Sequence, residues 1–265
     1  MSVPVIYHTG SNVAGTESKS FEVCLRIQDA TGFPLRHVKD FEVGTLPITY
    51  GLFRDTDRIM RKAYWSGVGF WYVDHGFWDR GHYNGNYRFV YNGMWPNAVV
   101  GNRPLKPWQH TTKPSNYDTL PPMRPFNGTG IIVLCAPAYE GSMNLPFIKM
   151  QPEEWIEGIT YRLQAKYPKA NVVVSTKHPG NRLVDGWLDK ATLVVCHDSN
   201  ALITALFNGT PACNLSYDSW WTTEPEYKTT ENLFIVNDDR DRRVMINILS
   251  RSQSKLEDLK PEWFV

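Results

Sequence analysis

The chain has 265 residues, of which 42% are hydrophobic, and it carries a formal net charge of +1 at pH 7. This length and apolar content suffice for one large domain or two of ordinary size, and we predict two. A charge so close to zero excludes a polybasic protein whose overall field would demand a nucleic acid or an anionic membrane as partner.

The cysteine pattern and the hydropathy predict a reduced, soluble protein. Cys24, Cys135, Cys196 and Cys213 stand singly in apolar runs rather than in paired spacings. That pattern is typical of core thiols and argues against disulfides and structural zinc. No apolar run approaches the length of a membrane span, and the N-terminus lacks a signal-peptide pattern. We therefore expect a cytoplasmic protein without a membrane partner.

The first half of the chain contains the signals of an α/β fold. Residues 3–7 predict a strand that ends in His8-Thr9-Gly10-Ser11, residues 18–28 a helix, and residues 68–73 a second strand. The Pro-rich polar stretch 103–125 predicts a linker or a long surface excursion. We accordingly assign residues 1–120 to a first lobe.

Apolar β-rich runs alternate with helix-like segments in the second half, which we assign to a second lobe, residues 121–265. The predicted strands cover residues 130–135, 171–176, a run starting at Leu193, 211–215 and 233–236, and the predicted helices cover 152–166, 183–190, a segment after Ser199 and 238–259. Strands buried on both faces with helical crossovers indicate a parallel, doubly wound sheet. The predicted fold class is α/β, with two Rossmann-like lobes, parallel sheets and a central cleft.

The turn after the Leu193 strand is a candidate phosphate-binding corner in the second lobe. Asp198 or Ser199 suits the cap of the following helix, which Gly209 and Pro211 end. The free backbone N–H groups around Ser199, Asn200 and Ala201 then suit an anion such as a diphosphate. An ordinary strand-to-helix turn explains the same residues.

A second cationic element of this lobe is the loop after the 171–176 strand. Lys177 and His178 follow that strand and are expected at the same edge as the Ser199-Asn200 corner. Two cationic or donor side chains opposite a helix N-terminus form a diphosphate clamp. The alternative is a lysine exposed on a surface loop.

In the first lobe, Asp74 and His75 follow the strand 68–73, where open α/β folds hold their ligands. A histidine beside an aspartate serves as a general base near neutral pH, with the carboxylate orienting the ring or acting as the base itself. The pair is alternatively two turn residues without a catalytic role. The nearby His82 is interpreted as an accessory polar group or a surface residue.

Aromatic residues interleave with a cation just beyond, in a segment that has no acidic residue between positions 81 and 117. Tyr83, Tyr87 and Arg88 belong to it. Such a surface stacks sugars or bases and attracts phosphates. The same sequence fits an aromatic hairpin packed in the core equally well.

These two groups of residues resemble the two-lobed (B-type), metal-independent nucleotide-sugar glycosyltransferases, in particular the small glycosyltransferase-like proteins of bacteriophages. The resemblance implies that Lys177, His178, Ser199, Asn200 and Ala201 bind the donor diphosphate. It further implies that Asp74 or His75 deprotonates the acceptor, and the acceptor-binding positions it implies are His82, Tyr83, Tyr87 and Arg88. No metal or cofactor is expected, and the co-substrate is expected to be a UDP-linked sugar.

The acceptor stays open at this stage. The phage resemblance favours a hydroxylated or hydroxymethylated pyrimidine in double-stranded DNA, which requires a base turned out of the stack and cations for the backbone. A surface polysaccharide or small saccharide is the alternative, and a catalytically silent nucleotide- or sugar-binding protein is a third. The sequence leaves the sugar open, and it does not separate Glu224, Glu226 and Glu231 as ribose-binding acids.

Overall fold

The chain separates into two compact units in the computed structural model. Unit 1 comprises residues 1–114 and 247–265, and unit 2 comprises residues 115–246. The described residues are 2–9, 19–38, 40–51, 55–81, 84–93, 105, 112–137, 152–197, 199–215 and 235–264. The sequence placed residues 247–265 with the second lobe, whereas in the structure they belong to unit 1.

The described part of the chain contains ten strands and five α-helices. In chain order they are β1 (Val3–His8), α1 (Lys19–Thr31), β2 (Leu35–His37), β3 (Thr45–Tyr50), α2 (Thr56–Trp65), β4 (Trp71–His75), β5 (Tyr87–Tyr91), β6 (Gly130–Cys135), α3 (Pro152–Lys166), β7 (Ala170–Ser175), β8 (Ala191–Cys196), α4 (Ala201–Phe207), β9 (Ala212–Asn214), α5 (Asp239–Arg251) and β10 (Gln253–Ser254).

Unit 1 is built on a six-stranded sheet in the order β10-β5-β4-β3-β1-β2. Strands β2, β1, β3 and β4 run parallel, β5 pairs antiparallel with β4, and β10 at the edge pairs antiparallel with β5. The sheet is therefore mixed rather than wholly parallel. Side chains alternate between its faces, so Ile6 packs with α1 and Tyr7 packs toward Ile59 of α2.

Helix α1 covers one face of this sheet because its apolar residues recur at helical spacing. Val23, Cys24 and Ile27 are buried against Ile6 and Ile48. The same core takes in three residues from the end of the chain: Leu256, Leu259 and Phe264. The segment 247–264 therefore contributes to the hydrophobic core of unit 1 and not to that of unit 2.

Unit 2 has a four-stranded sheet in the order β7-β6-β8-β9, and all of its ladders are parallel. This confirms the parallel sheet predicted for the second half. Strand β6 and helix α3 have the predicted bounds, and β7 differs from its prediction by one residue. Trp155, Ile159 and Leu163 of α3 pack on this sheet at helical spacing.

Two predicted elements differ from the structure in ways that matter for the site. The final helix ends at Arg251 rather than at residue 259, and Gln253–Ser254 pair with β5 as a strand. The serine-rich sequence Ser250-Arg251-Ser252-Gln253-Ser254 is a weak helix former, and the buried Gln253 side chain accepts the N–H of Phe77 in unit 1. Strand β4 runs to His75, so Asp74 and His75 lie within the strand instead of after it.

All four cysteines are free and buried, as predicted. Burial raises the pKa of Cys24, Cys135 and Cys213 to about 12, so these thiols stay protonated and unreactive at neutral pH. In the part of the chain that the structure describes, there is no helix with the length and apolar character of a membrane span.

Candidate active site

The topology of each sheet has a point at which successive connections leave in opposite directions. It lies between β1 and β3 in unit 1 and between β6 and β8 in unit 2. Open α/β sheets bind ligands at such switch points, beyond the carboxyl ends of the strands. We therefore expect the catalytic and ligand-binding side chains at these two carboxyl edges.

Asp74 lies near the carboxyl end of β4 and is held by three donors. Its Oδ2 accepts hydrogen bonds from the Tyr72 hydroxyl (2.8 Å) and the Arg88 guanidinium (2.8 Å), and its Oδ1 accepts the His75 backbone N–H (2.7 Å). Strand pairing places Arg88 of β5 directly opposite Asp74. The aspartate side chain is 28% exposed and the arginine only 4%. Asp74 is thus a fixed, partly accessible carboxylate over a buried cation.

The charge of Arg88 sets the protonation of this carboxylate. Burial by itself raises the pKa of Asp74, but the Arg88 charge and the hydrogen bonds from Tyr72 and the His75 N–H outweigh it, and the pKa lies below its usual value. Burial lowers the pKa of Arg88, but the charge of Asp74 outweighs this and raises it. Both groups are therefore ionised throughout the neutral range.

The ring of His75 leaves β4 on the other face of the sheet, because consecutive strand residues alternate. It stacks on Tyr87 with ring centroids 5.8 Å apart, and its Nε2 is 3.5 Å from the Tyr50 hydroxyl. Burial, and then the charge of Asp74, raises the pKa of Tyr50, which therefore stays a neutral phenol. The sequence left open whether Asp74 orients the His75 ring or acts as the base itself. In the structure Asp74 accepts the backbone N–H of His75, and the His75 ring packs against Tyr50 and Tyr87.

Gly76 ends the Asp74-His75-Gly76 motif for a steric reason. Its N–H donates to the Asn86 carbonyl at 2.8 Å, and an added Cβ would lie 2.6 Å from that carbonyl oxygen. A contact this short forces the backbone to move. Glycine is therefore the residue that lets the chain fold back toward β5 directly after the two candidate site residues.

The predicted acceptor-binding residues differ in where the structure puts them. Tyr87 is 1% exposed and supports the His75 ring from within the protein. Arg88 is committed to Asp74 and buried, so it is not on a surface open to DNA phosphates. His82 and Tyr83 lie outside the described residues. Of the two interpretations of this aromatic segment, the core hairpin is confirmed for β5, whose residues 87–90 are buried.

In unit 2, the turn between β8 and α4 contains the predicted phosphate corner. Ser199 Oγ accepts the N–H of Ala201 at 3.2 Å, and Asn200 precedes the helix without a side-chain cap bond. Among the residues that the structure describes, nothing hydrogen-bonds the buried Oδ1 of Asn200. Gly209 has a φ of +68°, the left-handed conformation predicted for the residue after the helix. Asp198, the other predicted cap, lies outside the described residues.

Lys177 and His178 are exposed on the loop after β7. The loop is organised by Asn181, whose amide nitrogen donates to the Val174 carbonyl and whose amide oxygen accepts the indole N–H of Trp187 at 3.1 Å. Because β6 lies between β7 and β8, the lysine loop and the Ser199 turn share the carboxyl edge but leave it about 10 Å apart, two strand spacings. The structure brings them to one edge and not into direct contact.

Sequence reasoning missed three residues that complete the edge of unit 1. Tyr72 bonds Asp74, Tyr50 approaches His75, and His8 ends β1 at the switch point. Tyr72 had a usable signal, because it lies two residues before Asp74 on the same strand face. In the described ranges no group of three or more His, Cys, Asp or Glu side chains is arranged to hold a metal ion.

No protein-family profile matches the chain, and no curated protein matches it. Among solved structures, the beta Kdo 2,4 transferase of Thermosulfurimonas dismutans KpsC gives a TM-score of 0.49 at 12% identity, covering 95% of this chain and 90% of that one. The beta Kdo 2,7 transferase of the same KpsC gives 0.41 at 14% identity, covering 80% and 78%. Likenesses this distant carry no inference about activity, so the functional argument rests on the residues above.

Proposed function

We propose that this chain is a glycosyltransferase that moves a sugar from a nucleotide-diphosphate donor to a hydroxyl acceptor by direct displacement. The observation that carries the proposal is the complementary chemistry of two carboxyl edges. One α/β unit presents an ionised, partly exposed carboxylate with an imidazole next to it, and the other presents a cationic loop and a strand-to-helix turn. A sugar transfer needs a proton acceptor for the incoming oxygen and cationic or N–H groups for the leaving diphosphate.

On the acceptor side, Asp74 is ionised at neutral pH and can accept a proton, because Arg88 keeps its pKa low. The same low pKa makes it a weak base, which suits a proton that moves only as the bond to the anomeric carbon forms. The His75 ring, supported by Tyr50 and Tyr87, is the second candidate and lies on the opposite face of the strand. No covalent enzyme intermediate is implied.

On the donor side, the leaving diphosphate is assigned to Lys177, with His178, Ser199, Asn200 and Ala201 in support. The exposure of Lys177 and His178 is what a ligand-binding loop requires, and Asn181 keeps the loop in shape. A lysine ammonium and backbone N–H groups together neutralise a diphosphate without a metal. We propose a UDP-linked sugar as the donor.

For the acceptor we favour a saccharide hydroxyl over a modified pyrimidine in DNA. The DNA hypothesis took Arg88 as one of its contacts to the DNA backbone, and Arg88 is buried under Asp74. The partly exposed Tyr50 and His75 rings offer a saccharide apolar ring faces instead. A hydroxymethylated pyrimidine remains the other arm of the test.

The test is a transfer assay with a panel of nucleotide sugars, in which the products are identified by mass spectrometry. One arm uses oligosaccharide acceptors and the other uses duplex DNA containing hydroxymethylated pyrimidines. A hexose or pentose mass added to either acceptor identifies acceptor class and donor together. Absence of both transfer and donor hydrolysis across the panel would overturn the proposal.

Variants separate catalysis from binding. Lys177→Ala and Asp74→Asn are each expected to reduce transfer by about a hundredfold or more, the scale for losing a charge stabiliser or a general base. Lys169→Ala is the matched control, since Lys169 is an exposed lysine at the opposite end of β7. If the protein binds the donor without turning it over, and Asp74→Asn leaves that binding unchanged, the chain is a silent nucleotide-binding protein.

A further inference from the structure

A hydrogen-bonded chain of three side chains lies at the carboxyl end of β1, in unit 1. The Ser20 hydroxyl is 3.1 Å from His8 Nε2, and His8 Nδ1 is 3.0 Å from His37 Nδ1. Both nitrogens of the central imidazole are therefore engaged, one by a hydroxyl and one by a second imidazole. The residues come from three elements, with Ser20 in α1, His8 in β1 and His37 in β2.

This order of groups matches that of an activated nucleophile. A hydroxyl becomes nucleophilic when it bonds a base whose other side is oriented by a third polar group. If His8 donates from Nδ1 to His37, its Nε2 carries the lone pair and accepts the Ser20 hydroxyl. In this tautomer, with His37 Nδ1 as the acceptor, His8 can remove a proton from Ser20.

The surroundings hold this arrangement in place. His8 is 4% exposed, whereas His37 lies at the surface. The two imidazoles stack with centroids 5.0 Å apart, and the Phe21 ring packs edge-on at 5.2 Å from His8. The central base is thus fixed by packing while the third group keeps contact with solvent.

The position within the fold also suits a reactive hydroxyl. His8 ends β1 at the β1/β3 switch point, and Ser20 lies in the first turn of the 13-residue helix α1. The backbone N–H groups of a first helical turn have no acceptor inside the helix, and the helix dipole there favours a developing oxyanion. The acid of this turn, Glu22, pairs with Arg26 at 3.2 Å.

We propose that Ser20, His8 and His37 form a second reactive centre that cleaves carboxylic esters. Ser20 Oγ attacks the acyl carbon while its proton passes to His8 Nε2. The ester C–O bond then breaks, and the leaving alkoxide takes that proton from His8. Water attacks the acyl-serine by the same route and releases the carboxylic acid, which restores Ser20. Ser20 and His8 are catalytic residues in this scheme, and His37 is a positioning residue.

The test is covalent labelling of the full chain with an alkyl fluorophosphonate, which forms a Ser Oγ–P bond and releases fluoride. We expect one added mass per chain, located on the peptide that contains Ser20, and no addition to Ser20→Ala. His8→Gln is expected to slow labelling by at least about a hundredfold, the usual scale for a lost general base. Ser66→Ala is the matched control, because the Ser66 hydroxyl donates to a backbone carbonyl, and it should label at the rate of the unchanged protein.

The positioning role of His37 has its own readout. His37→Ala should slow labelling by about tenfold or more, while His37→Asn, whose amide still bonds His8 Nδ1, should recover most of the rate. Circular dichroism and the melting temperature establish that each variant is folded. The proposal is overturned if Ser20 is not labelled, if it labels equally fast in urea, or if a folded His8→Gln labels at the normal rate. None of these outcomes bears on sugar transfer, which depends on Asp74 and Lys177.

Discussion

The polar residues at the carboxyl edges of the two sheets differ in burial, being packed against the core in unit 1 and exposed on a loop in unit 2. In unit 1, Asp74 lies over the buried Arg88, and His75 rests between two tyrosine rings. In unit 2, Lys177 and His178 lie on an exposed loop that the Asn181 side chain ties to Val174 and Trp187. The candidate residues of unit 1 therefore pack against the core, whereas those of unit 2 lie on a surface loop that is held by hydrogen bonds to strand β7 and Trp187.

This difference separates two tasks. A proton acceptor works only if its geometry and protonation state exist before the substrate arrives, and burial with a counter-charge provides both. A loop that holds a charged ligand gains from exposure, since the ligand itself supplies the counter-charge. Changes to the first edge should therefore alter stability together with activity, whereas changes to the exposed lysine should alter activity alone.

The largest effect is expected from removing Arg88. Arg88→Met leaves the Asp74 carboxylate without its cation and should lower the free energy of unfolding by about 3 kcal/mol or more in a urea titration. Arg26→Met, which breaks an exposed i,i+4 pair with Glu22, should cost less than about 1 kcal/mol. The double change Arg88→Met with Asp74→Leu should recover much of the loss; no recovery would mean that Arg88 acts through packing and not through charge.

The next largest effect is expected from Gly76→Ala. This change should lower the free energy of unfolding by about 1–3 kcal/mol, because the added Cβ meets the Asn86 carbonyl. Gly158→Ala is its matched control: that glycine lies within α3 with open space around the added carbon, so the change should stabilise by about 0.5–1 kcal/mol. Equal melting temperatures for the two variants would contradict the close approach after β4.

Asn181→Ala tests the tied loop of unit 2. The substitution removes the hydrogen bonds to the Val174 carbonyl and the Trp187 indole. It should lower the free energy of unfolding by about 1–2 kcal/mol and weaken binding of the nucleotide-sugar donor. Asn127→Ala is the control, since Asn127 is an exposed residue whose side chain, among the residues described, bonds to Thr129 in its own turn. Donor binding unchanged in Asn181→Ala, measured by calorimetry, would show that the loop does not hold the donor.

The smallest effect is a contrast in pH and salt dependence between two aspartates. Because the folded pKa of Asp74 is depressed, its stabilising contribution is full above its unfolded value near 4 and is lost as pH falls below it. The wild-type advantage over Asp74→Asn should therefore shrink below about pH 4. In unit 2, the hydrogen bond from the exposed Arg182 lowers the pKa of Asp185 to about 2.

Carboxyl titrations by NMR at low and high salt check the contrast. Added salt should move the Asp185 pKa back toward its usual value, because its partner Arg182 is 53% exposed, and should move the Asp74 pKa much less, because its partner Arg88 is only 4% exposed. Equal salt shifts for the two groups would mean that the Asp74 pair is as solvated as the surface pair.

The second unit was the more predictable from sequence because its signals are local. Strand β6 is a continuous apolar run buried on both faces, and α3 has the spacing of an amphipathic helix, so both could be located to the residue. Strand β3 gave no such signal, because Pro47 interrupts the run Thr45–Tyr50. The structure tolerates that proline because β4 pairs with β3 only from Ile48 onward.

The site residues were easier to find than their roles. Asp74 and His75 stand out as a polar pair ending an apolar strand, but whether they cooperate depends on where the strand stops, and a two-residue extension puts them on opposite faces. The partner of Asp74, Arg88, looked like a surface cation because its charge is visible in the sequence and its pairing with β4 is not. Register between strands is a long-range property, and no local pattern supplied it.

Unit 1 is built from two separate segments of the chain, and this determines the order in which the two units are fully synthesised on the ribosome. Strand β10 and the core residues Leu256, Leu259 and Phe264 join a sheet and a core whose other buried residues precede position 106. Residues 115–246 emerge as one uninterrupted stretch between them. During synthesis the later-encoded unit is therefore the first to have all of its parts, while in the earlier one the edge of β5 that does not face β4 has no partner until residues 247–264 arrive. Nascent chains stalled before residue 247 should resist proteolysis in the strands β6 to β9 of unit 2 and stay sensitive in the strands β1 to β5 of unit 1.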